Sequence, residues 1–259
     1  MNKSTEVLTT KLPLITLVFW IMKISATTLG ETAGDLFSMT LNAGYAASTI
    51  VLMSLFLIAL FFQLRSKSYH PALYWSVILL TSTAGTTMSD FMDRTLELGY
   101  MKGSLILVTL LIIVLATWKY TVGTLSVDHI KSRKAEIFYW VAILLSNTLG
   151  TALGDFLADD SGLGFAGGAL LIGSLLVVIV GVHYLTKINK VILFWLAFVL
   201  TRPFGATIGD VLTKSTDKGG LNFGTVNSSL FLLTILVCFI AITVKNQKKQ
   251  FKQSHVINA

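Results

Sequence analysis

From about residue 13 to residue 244 the chain alternates long apolar runs with short polar breaks, eight runs in all. Four runs, at about 45–64, 103–120, 166–185 and 225–244, are apolar nearly throughout. The other four cover roughly 13–37, 71–91, 137–157 and 191–212; they start apolar, then gather Thr, Ser and Gly before meeting an aspartate. About 20 helical residues cross the ~30 Å hydrocarbon core of a bilayer, so each run is long enough to span it. The pattern predicts an all-α integral membrane protein with eight transmembrane helices.

Composition agrees with that class. Of the 259 residues 54% are hydrophobic and 13% charged, against about 25% charged in soluble domains, and the mean hydropathy is +0.75. No interval is polar enough to form a soluble domain, so residues 1–259 read as one membrane domain. The single cysteine, Cys238, rules out a disulfide framework and a thiolate metal site. The start, "MNKSTEVLTTK", does not read as a cleavable signal, because the following apolar run is too long and lacks a small-residue cleavage site.

The polar-enriched runs are copies of one another. Aligned on tryptophan they read "WIMKISATTLGETAGD" from Trp20, "WSVILLTSTAGTTMSD" from Trp75, "WVAILLSNTLGTALGD" from Trp140 and "WLAFVLTRPFGATIGD" from Trp195. Without a gap, glycine follows at Gly30, Gly85, Gly150 and Gly205, a small residue at Gly34, Ser89, Gly154 and Gly209, and aspartate at Asp35, Asp90, Asp155 and Asp210. Copies one and two map onto three and four with a constant offset of 120 residues, a duplicated half that is itself duplicated. The repeats cover about 13–66, 67–120, 136–187 and 188–245, each a helical hairpin, with a basic tail at 246–259. Two spans per unit make the four motif helices parallel, in a pseudo-fourfold or nested two-fold arrangement about an axis along the membrane normal.

Sidedness follows from the basic residues. Lys3, Lys11, Arg65, Lys67, Lys119, Lys131, Arg133, Lys134, Lys187, Lys190, Lys245, Lys248, Lys249 and Lys252 all fall on one face, so both termini are expected in the cytoplasm. The connections after the motif helices are mixed or acidic. The net charge of +7 is therefore a positive-inside signal, and no nucleic-acid partner is expected.

The small-xxx-small spacing of the glycines lets helix backbones approach closely in lipid. It does not account for the aspartates, since an ionisable residue inside a span is costly and points to function. Positions four and eight before each aspartate share its helical stripe. They are Glu31 and Thr27, Thr86 and Ser82, Thr151 and Asn147, Ala206 and Arg202, with Thr28, Thr83 and Thr148 extending the oxygen-rich strip. Arg202, just before the helix-perturbing Pro203, needs an acidic partner in Glu31 or an aspartate. Lys23 lies near the cytoplasmic end and is expected to snorkel away. If the motif helices share a centre, five carboxylates there face Arg202 alone, a charge that calls for cations or protons. Oxygen ligands without cysteine or motif histidine suit hard cations such as Mg²⁺, Mn²⁺, Ca²⁺, Na⁺ or H⁺. His70, His129, His183 and His255 show no repeated spacing.

With these residues the chain resembles a family of bacterial integral membrane proteins built from a two-helix tandem repeat of unknown function with a shared tryptophan. The resemblance implies a bacterial inner-membrane location and no substrate. "GETAGD" is also loosely similar to the E-x-G-D motifs of cation exchangers, in the first copy only.

The expected function is transport or export of a hard divalent cation, Mn²⁺ first, with proton coupling open. Asp35, Asp90, Asp155, Asp210 and Glu31 would be the metal ligands, Thr86 and Thr151 would complete the shell, and Arg202 would balance charge. The expected partners are the lipid bilayer and an inorganic cation or proton, with no permanently bound cofactor. The alternatives are a proton-coupled transporter of a small organic solute, and a structural or sensor membrane protein. An enzyme is not expected, for the chain has no nucleophile–base pair, zinc-binding H-E-x-x-H, Walker A loop or dinucleotide fingerprint.

Overall fold

The computed structural model describes residues 11–127, 130 and 132–257, with side chains to Lys249. Lys3, His129, Lys131 and the side chains of Lys252 and His255 lie outside the described residues. Eight long helices follow in order: α1 (Leu17–Asp35), α2 (Tyr45–Arg65), α3 (Pro71–Asp90), α4 (Tyr100–Val122), α5 (Arg133–Asp155), α6 (Gly164–Leu185), α7 (Lys190–Thr213) and α8 (Thr225–Ile257).

The motif-helix starts have local causes. Thr16 and Ser132 cap α1 and α5 by accepting from the backbone N–H of Phe19 and Ala135, Asn189 accepts from Val191 at the start of α7, and Pro71 opens α3. The cap at Thr16 starts α1 later than the apolar run, leaving residues 11–16 as a non-helical lead-in. After the aspartate α1, α3 and α5 continue as one wide turn, Leu36–Thr40, Phe91–Thr95 and Phe156–Asp160. The motif aspartates therefore lie within continuous helix. Each hairpin turn carries two left-handed residues two apart: Asn42 and Gly44, Glu97 and Gly99, Gly162 and Gly164, Asn222 and Gly224. The last helix runs to Ile257, so the segment expected as a separate tail continues α8.

Among the described residues six helices are long and apolar enough to cross a membrane: α2, α4, α5 with its wide turn, α6, α7, and α8 to Lys249. In α1 and α3 polar motif residues dilute the apolar ones, and Glu31, Thr32, Asp35, Thr86, Thr87 and Asp90 are all buried. Their polarity is spent on protein contacts.

The motif helices form a closed inner ring in which α1 packs on α3, α3 on α5, α5 on α7 and α7 on α1. The other four lie outside it. Only 11–22% of the most apolar stretch of α2, α4, α6 and α8 is buried, against 67% for α5 and 50% for α7. Each outer helix packs mainly on the inner helix of the next repeat, not on its own: α2 on α3, α4 on α5, α6 on α7, and α8 back on α1.

The glycines set the ring's close approaches. A Cβ on Gly30, Gly85, Gly150 or Gly205 would strike Ser82, Asn147, Arg202 or Thr27, in each case the residue eight before the aspartate of the next copy. Gly34, Gly154 and Gly209 repeat the pattern one turn further on, against Thr86, Ala206 and Glu31. Ser89, their counterpart in copy two, donates to Asp93 Oδ2 at 3.2 Å.

Candidate functional site: a charged axis inside the ring

Side chains from equivalent positions stack in layers along the ring. At the tryptophan end Trp75, Trp140, Tyr74, Tyr139 and Phe198 are buried, and the Tyr74 and Tyr139 hydroxyls share a hydrogen bond of 2.6 Å. An aromatic floor closes this end. Above it Lys23, fully buried, donates to Asn147 Oδ1 at 3.3 Å and lies 4.2 Å from the centre of the Phe198 ring. Lys23 does not snorkel to solvent. It stands twelve residues before Asp35, on the same inward stripe, so the ring encloses it.

The next layer is built around Arg202. Its Nη1 donates to Glu31 Oε2 at 2.9 Å, while Nη2 donates to Thr86 Oγ1 at 2.5 Å and Thr151 Oγ1 at 2.6 Å. Thr86 and Thr151 in turn donate to Glu31 Oε2 at 3.3 and 3.2 Å. One knot thus draws a side chain from each of the four inner helices. Ala206, at the fourth equivalent of Glu31, leaves room for it by packing beside Gly154. Thr28, Thr83 and Thr148 stay outside the knot and bond the carbonyls of Ile24, Leu79 and Leu144 on their own helices.

At the far end the four aspartates pair two by two. Arg94 Nε meets Asp90 at 3.1 Å and its Nη2 meets Asp155 at 3.1 Å. Lys214 Nζ lies 2.8 Å from Asp35 and 3.2 Å from Asp210. Arg94 and Lys214 each follow an aspartate by four residues and are separated by the 120-residue offset, so the duplicated half is visible in the chemistry. With them and Lys23, five carboxylates face four basic groups rather than Arg202 alone. The connections expected to be mixed or acidic supply two of these cations.

The two halves are not equal. Glu31, Asp35 and Asp210 each place a carboxylate oxygen within 4.8 Å of the others, a buried all-oxygen group on the Lys214 side. Thr151 stands where Glu31 would in the Arg94 half. A cavity of about 290 Å3 opens over the aspartates, lined by Asp155, Asp210, Arg94, Lys214, Asp159 and Lys218 with apolar Met39 and Phe165. Of the histidines, His70 precedes α3 and His183 lies in the last turn of α6, both away from the axis.

These features define a four-repeat, all-α membrane protein with charge buried along the axis of its inner helices. The chain belongs to the family described as Repeat of Unknown Function (DUF347), matched at residues 18–69, 73–124, 138–189 and 193–249. Each match begins two residues before a motif tryptophan. No curated protein and no solved structure matches the chain.

Proposed function

We propose that the protein is a membrane transporter or exporter of a hard divalent cation, Mn²⁺ first among the candidates, with Glu31, Asp35 and Asp210 holding the ion. The carrying observation is the 4.8 Å grouping of those three buried carboxylates. Oxygen donors in that number suit Mn²⁺, Mg²⁺ or Ca²⁺ over softer metals. Lys214 acts as a tethered cation that keeps Asp35 and Asp210 neutralised until an ion displaces it. Arg94, a planar fork on Asp90 and Asp155, is the fixed counterpart in the other half. On this reading all eight helices cross the bacterial cytoplasmic membrane, and both termini are cytoplasmic; the basic residues at the tryptophan end support that orientation. The cavity then faces outward and the aromatic floor closes the inner side.

One observation favours a second reading. The cavity wall carries both signs of charge beside Met39 and Phe165, a lining that also suits a small organic solute moved with protons.

The test is thermal unfolding of the purified protein with Mg²⁺, Mn²⁺, Ca²⁺, Co²⁺ and Zn²⁺, in wild type, Asp210→Asn and Asp90→Asn. Stabilisation by one metal, lost in Asp210→Asn and kept in Asp90→Asn, is the expected result. No shift with any metal, or an equal shift in Asp210→Asn, overturns the metal reading and leaves the organic solute.

A further inference from the structure

The aromatic floor is not the only closure at the tryptophan end. Residues 11–16 leave the start of α1 as a non-helical strap. Leu12 is buried in the core, and with Pro13 and Leu14 it lines a cavity of about 210 Å3 shared with Phe19, Tyr69 and Trp75 at the starts of α1 and α3. At the strap's end Lys11 Nζ lies 2.7 Å from Glu136 Oε2 in the first turn of α5 and donates to the Leu64 carbonyl at 3.2 Å. Glu136 is 1% exposed, and its Oε1 has no partner among the described residues. A carboxylate so buried is tolerable while the Lys11 ammonium beside it stays in place. Five residues reach at most about 18 Å, so the strap has little slack. It ties α1 by the chain, α3 by Leu12 and α5 by the ion pair: three of the four inner helices, at the end that must open for anything to pass.

We propose that residues 11–16 are a clasp, with Lys11–Glu136 as its catch, that holds the tryptophan end shut. The inner helices cannot spread there while Lys11 spans from α1 to α5. Release breaks one ion pair, of a partly exposed Lys11 with a buried Glu136, and withdraws Leu12 from the core. Glu136 has no acidic counterpart in the other repeats, where Thr16, Pro71 and Val191 stand, so the catch is a single device added to a fourfold frame. The proposal shares with the transport reading only the need for this end to open, and its test requires no solute.

The measurement is the rate at which a hydrophilic maleimide labels a single cysteine in the purified protein in detergent, where both ends of the ring are open to the reagent. In a Cys238→Ser background, Ile143→Cys reports from just above the aromatic floor and Met39→Cys from the opposite cavity. Lys11→Met is expected to raise labelling of Ile143→Cys about tenfold, between the effects of breaking an exposed and a buried ion pair. Labelling of Met39→Cys should stay unchanged. The exchange Lys11→Glu with Glu136→Lys should restore slow labelling, which general loosening would not do. An unchanged rate at Ile143→Cys, equal acceleration at both ends, or no recovery in the exchanged pair would overturn the clasp. The metal series described above is unaffected by any of these results, so the two readings fail separately.

Discussion

Replacing Arg202 with methionine is the sharpest test of the buried knot. Arg202 is fully buried, and the Glu31 side chain is 4% exposed. Arg202→Met leaves the Glu31 carboxylate in the ring with only the Thr86 and Thr151 hydroxyls as donors. Removing one partner of a buried pair costs about 3–5 kcal/mol, because the remaining charge keeps its desolvation penalty without its counterion. Adding Glu31→Met removes that penalty. Thr86 can still donate to the carbonyls of Gly30 and Ser82, whereas Thr151 loses both of its knot partners. One unsatisfied buried hydroxyl costs about 1–3 kcal/mol, so the double variant should be more stable than Arg202→Met by roughly 2 kcal/mol. Denaturant or thermal unfolding in detergent across the full double-mutant cycle measures this coupling. A single variant within ~1 kcal/mol of wild type, or a double variant no better than Arg202→Met, would refute the placement of these charges in one dehydrated layer.

Two further expectations follow from the same geometry. Gly150→Ala sets a methyl group against Arg202 Cβ and the Pro203 backbone nitrogen and should cost at least about 2 kcal/mol. Gly181→Ala on α6 meets nothing within 4 Å and should gain about 0.5–1 kcal/mol from helix propensity; parallel melts that fail to separate the two would contradict the ring packing. Lys214→Met should lower basal stability by unpairing Asp35 and Asp210, yet bring the midpoint of metal stabilisation down about tenfold by removing the competing ammonium. An unchanged midpoint would mean that Lys214 and the ion do not share a seat.

The repeat and its glycines were legible because they follow a local rule. A small residue every fourth position on one stripe marks close helix approach, and Gly30, Gly85, Gly150 and Gly205 all sit at such approaches. The layer at Glu31, Thr86 and Thr151 follows from the same stripe. Arg94 and Lys214 carry a usable signal, an i+4 position after an aspartate repeated at the 120-residue offset, but they lie beyond the stretch that all four copies share, with Met39 and Asp159 at the same place in copies one and three. Lys23 departs from the snorkelling expectation because that expectation assumes a lipid-facing stem, whereas its stripe faces the ring axis. Thr28, Thr83 and Thr148 lie one position off the stripe, enough to turn each hydroxyl to its own helix. The assignment of each outer helix to the following repeat had no local signal, since uniformly apolar helices carry no stripe that names a partner.

That assignment bears on how such a chain could have been assembled. Every outer helix is given to the next repeat, and the outer cover is complete only when α8 reaches α1. A chain of two repeats would hold one donated helix with nowhere to go and one inner helix without cover. Two copies of it would satisfy each other, α4 of each covering α1 of the other, in a symmetric dimer with no surplus surface. The 120-residue offset then looks like the scar of that dimer's fusion into one chain, and the basic stretch between the halves like the joint.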